Sequence, residues 1–523
     1  MIHNLQLKDL FIGKTDAKNE LIDNNDKTKE LFCNSFLMPE NININDFYEG
    51  KRYYITGLKG TGKTALLHYI DLKMSEKPNY QSSFILFKSN FTEDDKAAFT
   101  VAANASCAVK NTDNDDFEDY INVWHWFLHR QIVLNSQKSE ICCFKNDTNW
   151  QKYCNCVLSP KLGNDEAGIT SLFPKLKRGN IEIGADVEFL KGKLGLEFEW
   201  ENEPKKIVKF SHLVRQVNEL YKKLTPSDVK LFLYIDELEL TLTKQKQYQK
   251  DIKLIRDLIV AINHFNALSK QYNYNIYTIS AIRSEVLTAI NAIGKEINKP
   301  IIDFGVNLKW QLYGGNIDNH PLIKIINKKI MATELYYNLP VSSEEDVWEK
   351  YFPSQINNQP IKEYILHRTW YRPRDIVRLL NIAIQQFPNE SKFSHTVFDA
   401  INKEYSTQSW IEQTEELASI YSPTEIEGIK KMLTALKSPF TIHQITDKCE
   451  KGRRVYSALD DLLKKYKIGD LLSHLYNVGI IGNTGEKIRY SFRGDDELII
   501  ENMMKIHDSL WNYLSIEYRK PSC

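Results

Sequence analysis

No stretch of the chain is apolar for long enough to cross a bilayer as a helix. The opening residues, Met1-Ile2-His3-Asn4-Leu5, lack the charged and apolar regions of a secretion signal. These two absences predict a cytoplasmic protein that does not meet a membrane. Excess charge is missing too: 68 Lys+Arg stand against 68 Asp+Glu. A chain devoted to coating nucleic acid is usually basic, so the balance weighs against that role while leaving room for a local basic patch. Cysteine is scarce, at 8 in 523 residues, and without a secretion signal it reads as reduced thiol rather than a disulfide framework. Internal repeats and low-complexity linkers are absent. The length predicts about three domains, and a hydrophobic content of 42% allows them large cores.

What is present begins with Gly57-Leu58-Lys59-Gly60-Thr61-Gly62-Lys63-Thr64, a glycine, four residues, then Gly-Lys-Thr. The aromatic and β-branched run before it, 51–56, predicts a strand. After it, from Ala65 on, Leu66, Leu67, Ile70 and Met74 fall at helical spacing. Strand, glycine-rich turn and helix is the setting a phosphate-binding loop requires. Gly57, Gly60 and Gly62 let the backbone curl so that N–H groups, including those of Thr61 and Ala65, point at a polyphosphate. The helix N-terminus adds partial positive charge. Lys63 is expected to reach the β- and γ-phosphates, and the Thr64 hydroxyl to hold Mg²⁺. The plain alternative is a glycine turn between a strand and a helix.

The rest of the chain predicts an α/β fold. Residues 1–50 form a helical approach, with helices at 16–21 and 28–36. A buried strand is expected at 81–89, around Phe84-Ile85-Leu86-Phe87. Residues 91–228 interrupt the strand–helix alternation as an insertion. They hold an amphipathic helix at 119–133, a β-hairpin with an acidic outer face at 181–200, and a helix at 210–224. Alternation resumes with strands at 229–235, 274–280 and 301–304 and a helix at 248–267, which together predict a mostly parallel sheet. Residues 51–90 and 229–320 therefore form the core, and 321–420 a helical lid. Residues 421–523 form a winged-helix-like domain, with helices at 424–436, 442–449 and 456–478, a strand at 488–492 and a closing helix at 498–514.

The hydrophobic run ending in Asp236-Glu237 supplies the second half of a nucleotide site. Asp236 at the strand end would help hold Mg²⁺, and Glu237 would deprotonate the attacking water. A buried strand that merely ends in solvated acids is the alternative. A phosphate loop, an insertion, a strand ending Asp-Glu and a later strand ending in arginine together resemble the ASCE class of P-loop ATPases. The nearest likeness is to bacterial members near the KAP, STAND and Orc-like groups, some of them found in phage-defence loci. The resemblance spans residues 11–381, with a winged-helix-like tail beyond. Glu239-Leu240 stands where KAP proteins usually carry Asp-Arg. The resemblance implies a γ-phosphate sensor at Ser280 and Arg283. In Trp370-Tyr371-Arg372-Pro373-Arg374 it implies a second sensor, with Arg372 and Arg374 as nucleotide contacts. An arginine capping a strand end and a basic solvated helix start are the respective alternatives.

Cys142, Cys143, Cys154 and Cys156 cluster near His125 and His129, but their spacing is not that of a standard zinc finger or ribbon, which favours buried or free thiols. Trp124, Trp126 and Phe127 are expected in a core. Arg453, Arg454, Lys464 and Lys465 could touch DNA or form a solvated face, and Asp460-Asp461 dilutes them. These features predict an ATPase using ATP and Mg²⁺, with Lys63, Glu237 and Arg283 in catalysis, whose output is a conformational or assembly switch. Self-association, a protein partner or effector, and an anti-phage setting are implied. The rival readings are an Orc-like DNA loader acting through the C-terminal domain and a slow nucleotide-held scaffold.

Overall fold

The computed structural model describes residues 5–22, 25–90, 120–139, 141–158, 176–177, 180–182, 207–240, 245–291, 297–311, 316–418, 420–485, 487–495 and 497–518. The chain divides into two compact units. One comprises Asn41–Lys59 and Leu66–Leu308, and the other Met1–Glu40, Gly60–Ala65 and Lys309–Cys523.

The first unit is built on a five-stranded sheet. Its strands are β1 (Tyr54–Gly57), β2 (Tyr80–Leu86), β3 (Lys230–Leu238), β4 (Ile276–Arg283) and β5 (Gly305–Asn307), in the order β2-β3-β4-β1-β5. Every pairing in it is parallel. Leu231 through Ile235 of β3 are fully buried, as a central strand covered on both faces must be. The helix after the glycine-rich turn, α1 (Lys63–Ser75), buries the expected stripe of Leu66, Leu67, Ile70 and Met74. β2 differs from expectation. It lies at a sheet edge and is mostly half-buried, with only Ile85 in the core.

The fifth strand also differs. Residues 301–304 belong to a helix, Asn298–Phe304, and the strand starts at Gly305. A Cβ at Gly305 would stand 2.2 Å from the Ile301 carbonyl oxygen, so glycine is what lets the helix turn directly into the strand. In the inserted region α2 (Ile121–Lys138) is not amphipathic in place. Val123 through Arg130 are all buried, Trp124, Trp126 and Phe127 among them. It packs beside α3 (Phe210–Tyr221) and the long α4 (Gln245–Gln271), so it has helices on more than one side. Of the acidic hairpin at 181–200 only residues 181–182 are described, in a strand Asn180–Glu182 between Leu176–Lys177 and Ile207–Lys209. The remainder lies outside the described residues.

The second unit is mainly helical. Leu5, Leu7 and Ile12 enter a core with α5 (Pro321–Tyr336), α6 (Pro373–Gln386) and the first turns of α7 (His395–Leu417). Pro321 opens α5 behind His320, whose Nδ1 caps the Leu322 N–H at 3.2 Å. The run 344–387 is not helical throughout. A two-stranded hairpin, Gln355–Ile356 with Gln359–Pro360, interrupts it.

The C-terminal part carries α8 (Pro423–Leu433), α9 (Ile442–Gly452), α10 (Ser457–Lys465) and α11 (Ile468–Asn477). The expected helix at 456–478 is thus two helices. Strand β6 (Ile481–Asn483) pairs antiparallel with β7 (Met504–Ile506), not with residues 488–492. Those residues give one bridge, Arg489 to Asn483, then a 3-10 turn ended by Gly494 at φ +91°. The closing helix shrinks to Trp511–Leu514, because Met504 and Ile506 are buried at the two-residue period of a strand. Among the described residues no helix is long and apolar enough to cross a membrane.

Candidate functional site

In the sheet unit, β1 delivers the chain to the glycine-rich loop 57–64. Its last residue, Gly57, lies in register with Arg283 at the end of β4. Asp236, two residues before the end of β3, pairs with Leu86 and is 5% exposed. Its Oδ1 accepts the Glu237 N–H at 2.7 Å. Glu237 has φ +60°, and the β3–β4 register shifts between Ile235 and Leu238. A left-handed non-glycine residue costs about 1–2 kcal/mol, so strain sits at the one acid proposed from the sequence to act on water. Ser280 is placed differently from Arg283. It lies inside the strand, opposite both Tyr54 and Ile235, and is fully buried with no hydrogen-bond partner for its hydroxyl among the described residues. Only Arg283 of that pair reaches the strand end.

Three residues that the sequence reading did not assign to the site surround this edge. Arg283 Nη2 donates to Glu239 Oε1, and Lys88 Nζ lies 2.9 Å from Glu239 Oε2. Burial alone would raise the Glu239 carboxyl, but Arg283, Lys88 and Lys59 together hold it below the usual carboxylate range. Glu285, two residues past Arg283, accepts the Lys59 backbone N–H at 3.4 Å. Glu239 was noticed only as a departure from a family pattern; Lys88 and Glu285 gave no signal by spacing.

In the helical unit, residues 60–65 of the loop lie with the arginine segment. Gly60 (φ +80°) and Gly62 (φ +93°) hold left-handed backbone that a side chain would strain. No described atom comes within 4 Å of a Cβ built on Gly62, so the space beside it is open. Trp310 Nε1 donates to the Thr61 carbonyl at 2.8 Å, and both residues are buried. Lys63 is buried at 8% exposure, while Thr64 and Ala65 are half-buried.

The two candidate arginines have different surroundings. Arg374 donates its backbone N–H to the Gly60 carbonyl at 3.4 Å, its Nε to the Thr15 carbonyl at 3.0 Å and its Nη1 to Glu412 at 3.1 Å. Glu412 also takes Arg378 Nη1 at 2.7 Å, and Arg378 Nη2 reaches Asp375 at 2.9 Å. Asp375 in turn accepts the Trp370 N–H at 3.0 Å, and burial pushes its carboxyl up against the pull of Arg378 and Arg372. Arg372 is 5% exposed, and its Nε and Nη1 have no hydrogen-bond partner among the described residues. Its Cδ packs 3.4 Å from where a Gly60 Cβ would be. A buried cation with open donors, set against a phosphate-type loop, is suited to an anion.

Other residues singled out in the sequence are accounted for by packing. His129 spends both ring nitrogens, on Tyr153 (2.8 Å) and Asn218 (2.7 Å). A hydrogen bond with the Cys143 thiol pulls Cys142 down to about 6, and burial pushes Cys154 and Cys156 up to about 12. Among the described residues no group of three or more His, Cys, Asp or Glu is gathered as a metal would require. Three of the four basic residues singled out in the C-terminal part are paired with acids. Arg453 contacts Asp460 and Glu450, Lys464 contacts Asp460 and Asp461, and Lys465 contacts Glu425.

Residues 321–412 match the family model of the FunZ-associated C-terminal helical domain. The matched stretch runs from the start of α5 to Glu412, so it contains Arg372, Arg374, Asp375 and Arg378. Over 337 residues the chain is 22% identical to an Escherichia coli (strain K12) protein named as an 80.3 kDa protein of transposon gamma-delta. The similarity covers 62% of this chain and 45% of that protein, so the chain spans under half the length of the relative it matches.

Proposed function

We propose that this chain is a P-loop ATPase that binds Mg-ATP at residues 57–64 and hydrolyses it to drive a conformational or assembly change. The observation that carries the reading is Arg372, a buried guanidinium with two nitrogens unpartnered among the described residues and its Cδ 3.4 Å from where a Gly60 Cβ would stand. The loop glycines fit the same ligand, since Gly60 and Gly62 hold positive φ and the space beside Gly62 is open. Lys63 and Arg372 would bind phosphate oxygens. Thr64 and Asp236 would hold Mg²⁺, which when bound offsets phosphate charge. Gly57, Thr61 and Ala65 belong to the loop backbone, and Arg283 would sense the terminal phosphate. Glu237 would accept a proton from water; its assignment rests on motif order and on its left-handed backbone.

Residues 321–420 are assigned as the lid and 421–523 as a winged-helix-like domain. Short helices followed by the antiparallel β6–β7 pair support the second assignment. The match to the FunZ-associated domain falls within the proposed lid. Acid pairing of Arg453, Lys464 and Lys465 favours a protein-directed switch over an Orc-like DNA loader. By resemblance, anti-phage defence in the cytoplasm is the proposed setting, with self-association or an effector protein as the partner.

The test is nucleotide affinity. Lys63→Ala removes the charge that faces the phosphates, so ATP binding should weaken by about tenfold or more, about 1.4 kcal/mol. Equal affinity in both proteins would remove the loop from the function.

A further inference from the structure

The end of the sheet carries a carboxylate with more positive charge around it than it needs. Glu239 follows β3, receives Arg283 on one oxygen and Lys88 on the other, and lies in the field of Lys59. It is 29% exposed in its side chain, and Arg283 27%, so the pair is largely withdrawn from water. Arg283 stands beside the start of the phosphate loop, in register with Gly57. The turn that follows Arg283 is tied to that loop, because Glu285 accepts the Lys59 N–H. A guanidinium in this position can serve one strong anion at a time on a given edge of its planar fork.

We infer that Glu239 is an internal stand-in for a terminal phosphate, holding Arg283 until a nucleoside triphosphate displaces it. The inference rests on the proposed nucleotide site. It goes beyond that reading by giving Glu239 a role in discriminating ATP from ADP. The γ-phosphate and the carboxylate compete for the same donors, so part of the ATP binding energy separates Arg283 from Glu239. ADP lacks the competing group and leaves the ion pair intact. Glu239 thereby weakens ATP binding selectively, and Lys88, which is 67% exposed, keeps the displaced carboxylate paired at the surface.

The experiment compares ATP and ADP affinity in the full chain for wild type, Glu239→Gln, Arg283→Ala and the double variant. Glu239→Gln keeps the shape and removes the competing charge. ATP should bind about tenfold tighter, the size of one charge-assisted hydrogen bond, while ADP changes far less. In the Arg283→Ala background the same substitution should no longer separate the two nucleotides. Glu239→Asp, which keeps the charge on a shorter arm, should fall between wild type and Glu239→Gln, and its folding is checked by thermal denaturation without nucleotide. Weaker ATP binding in Glu239→Gln would overturn the inference and make Glu239 a support for Arg283. Equal tightening for ATP and ADP would also overturn it, as a general charge effect. If wild type and Lys63→Ala bind neither nucleotide, the nucleotide site itself fails. If wild type binds, Lys63→Ala does not and Glu239→Gln matches wild type, only this inference fails.

Discussion

Arg372 holds its Cδ 3.4 Å from where a Gly60 Cβ would stand, and its Nε and Nη1 are unpaired among the described residues, whereas Arg374, two residues on, is fastened to Thr15 and Glu412. The two arginines look interchangeable in sequence but have different tasks. Arg372→Ala removes an anion-binding group and a buried guanidinium whose Nε and Nη1 have no hydrogen-bond partner among the described residues. ATP affinity should fall by about tenfold or more with stability unchanged or raised. Arg374→Ala breaks the side-chain bonds to Glu412 and the Thr15 carbonyl and keeps the backbone N–H that meets Gly60, so stability should drop by about 1–3 kcal/mol. Titration calorimetry and urea denaturation on both variants give the comparison. Loss of stability in Arg372→Ala with normal ATP binding would reverse the roles.

A second pair ties the arginine segment to the C-terminal part of the same unit. Trp370 is 1% exposed, donates Nε1 to the Gly479 carbonyl at 2.9 Å and stacks on His507 at 4.2 Å between centroids. Gly479 has φ +79°, and a Cβ there would stand 2.8 Å from Trp370 Cδ1. Gly479→Ala should therefore cost about 2 kcal/mol through overpacking and backbone strain. Removing the residues after Pro423 should expose Trp370 and lower the melting temperature of what remains. A truncated chain as stable as the full one would show that Trp370 needs neither partner.

Much of this was legible in the sequence where a single local rule governed. The glycine-rich turn between strand and helix, the α1 stripe and the parallel core follow from glycine placement, 3.6-residue spacing and runs of buried β-branched residues. The failures have physical causes. Residues 301–304 read as a strand by their apolar character, but the helix persists to Phe304 because Gly305, lacking a Cβ, clears the Ile301 carbonyl four residues back, which apolar patterning does not signal. Residues 498–514 mix two periods, so Met504 and Ile506 were absorbed into a helix that ends up four residues long. Glu412 holds Arg374 from 38 residues away in the chain, and Trp310 holds Thr61 from 249 residues away. No spacing rule connects such distant positions. Arg372 and Arg374 were both visible, but only their partners distinguish them.

Buried histidines predict how the protein responds to acid. Burial lowers His125 from 6.5 to about 4 and His129 to about 3. Both are neutral when folded and can protonate freely when unfolded. Their contribution is fully present above pH 6.5 and is lost as pH falls toward those lower values. Each should withdraw about 1 kcal/mol of stability per pH unit below 6.5. Urea midpoints at pH 7.5, 6.0 and 5.0 should fall steadily, and His129→Phe should flatten part of the slope, although Tyr153 and Asn218 lose a partner. Midpoints that do not change between pH 7 and 5 would contradict the assignment.

Catalysis is tested where the backbone is strained. Glu237 follows the buried Asp236, accepts its left-handed conformation at φ +60°, and has its N–H held by the Asp236 carboxylate. Glu237→Gln keeps size and backbone demands but cannot take a proton from water. Lys63, Thr64, Arg372 and Asp236 are the groups proposed to hold Mg-ATP, so affinity should change little. Hydrolysis should fall by about 10²-fold or more, the size expected for loss of a general base. The ATP-bound form should then accumulate, and any assembly that ATP favours should become easier to isolate. Asp236→Asn should differ in kind. It weakens the metal ligand and the bond that holds the Glu237 N–H, so affinity and rate should fall together. Nucleotide affinity and single-turnover hydrolysis measured on both variants separate the cases. Near-normal hydrolysis by Glu237→Gln would remove Glu237 from the chemistry, leaving its strained backbone as a consequence of the β3 register shift alone.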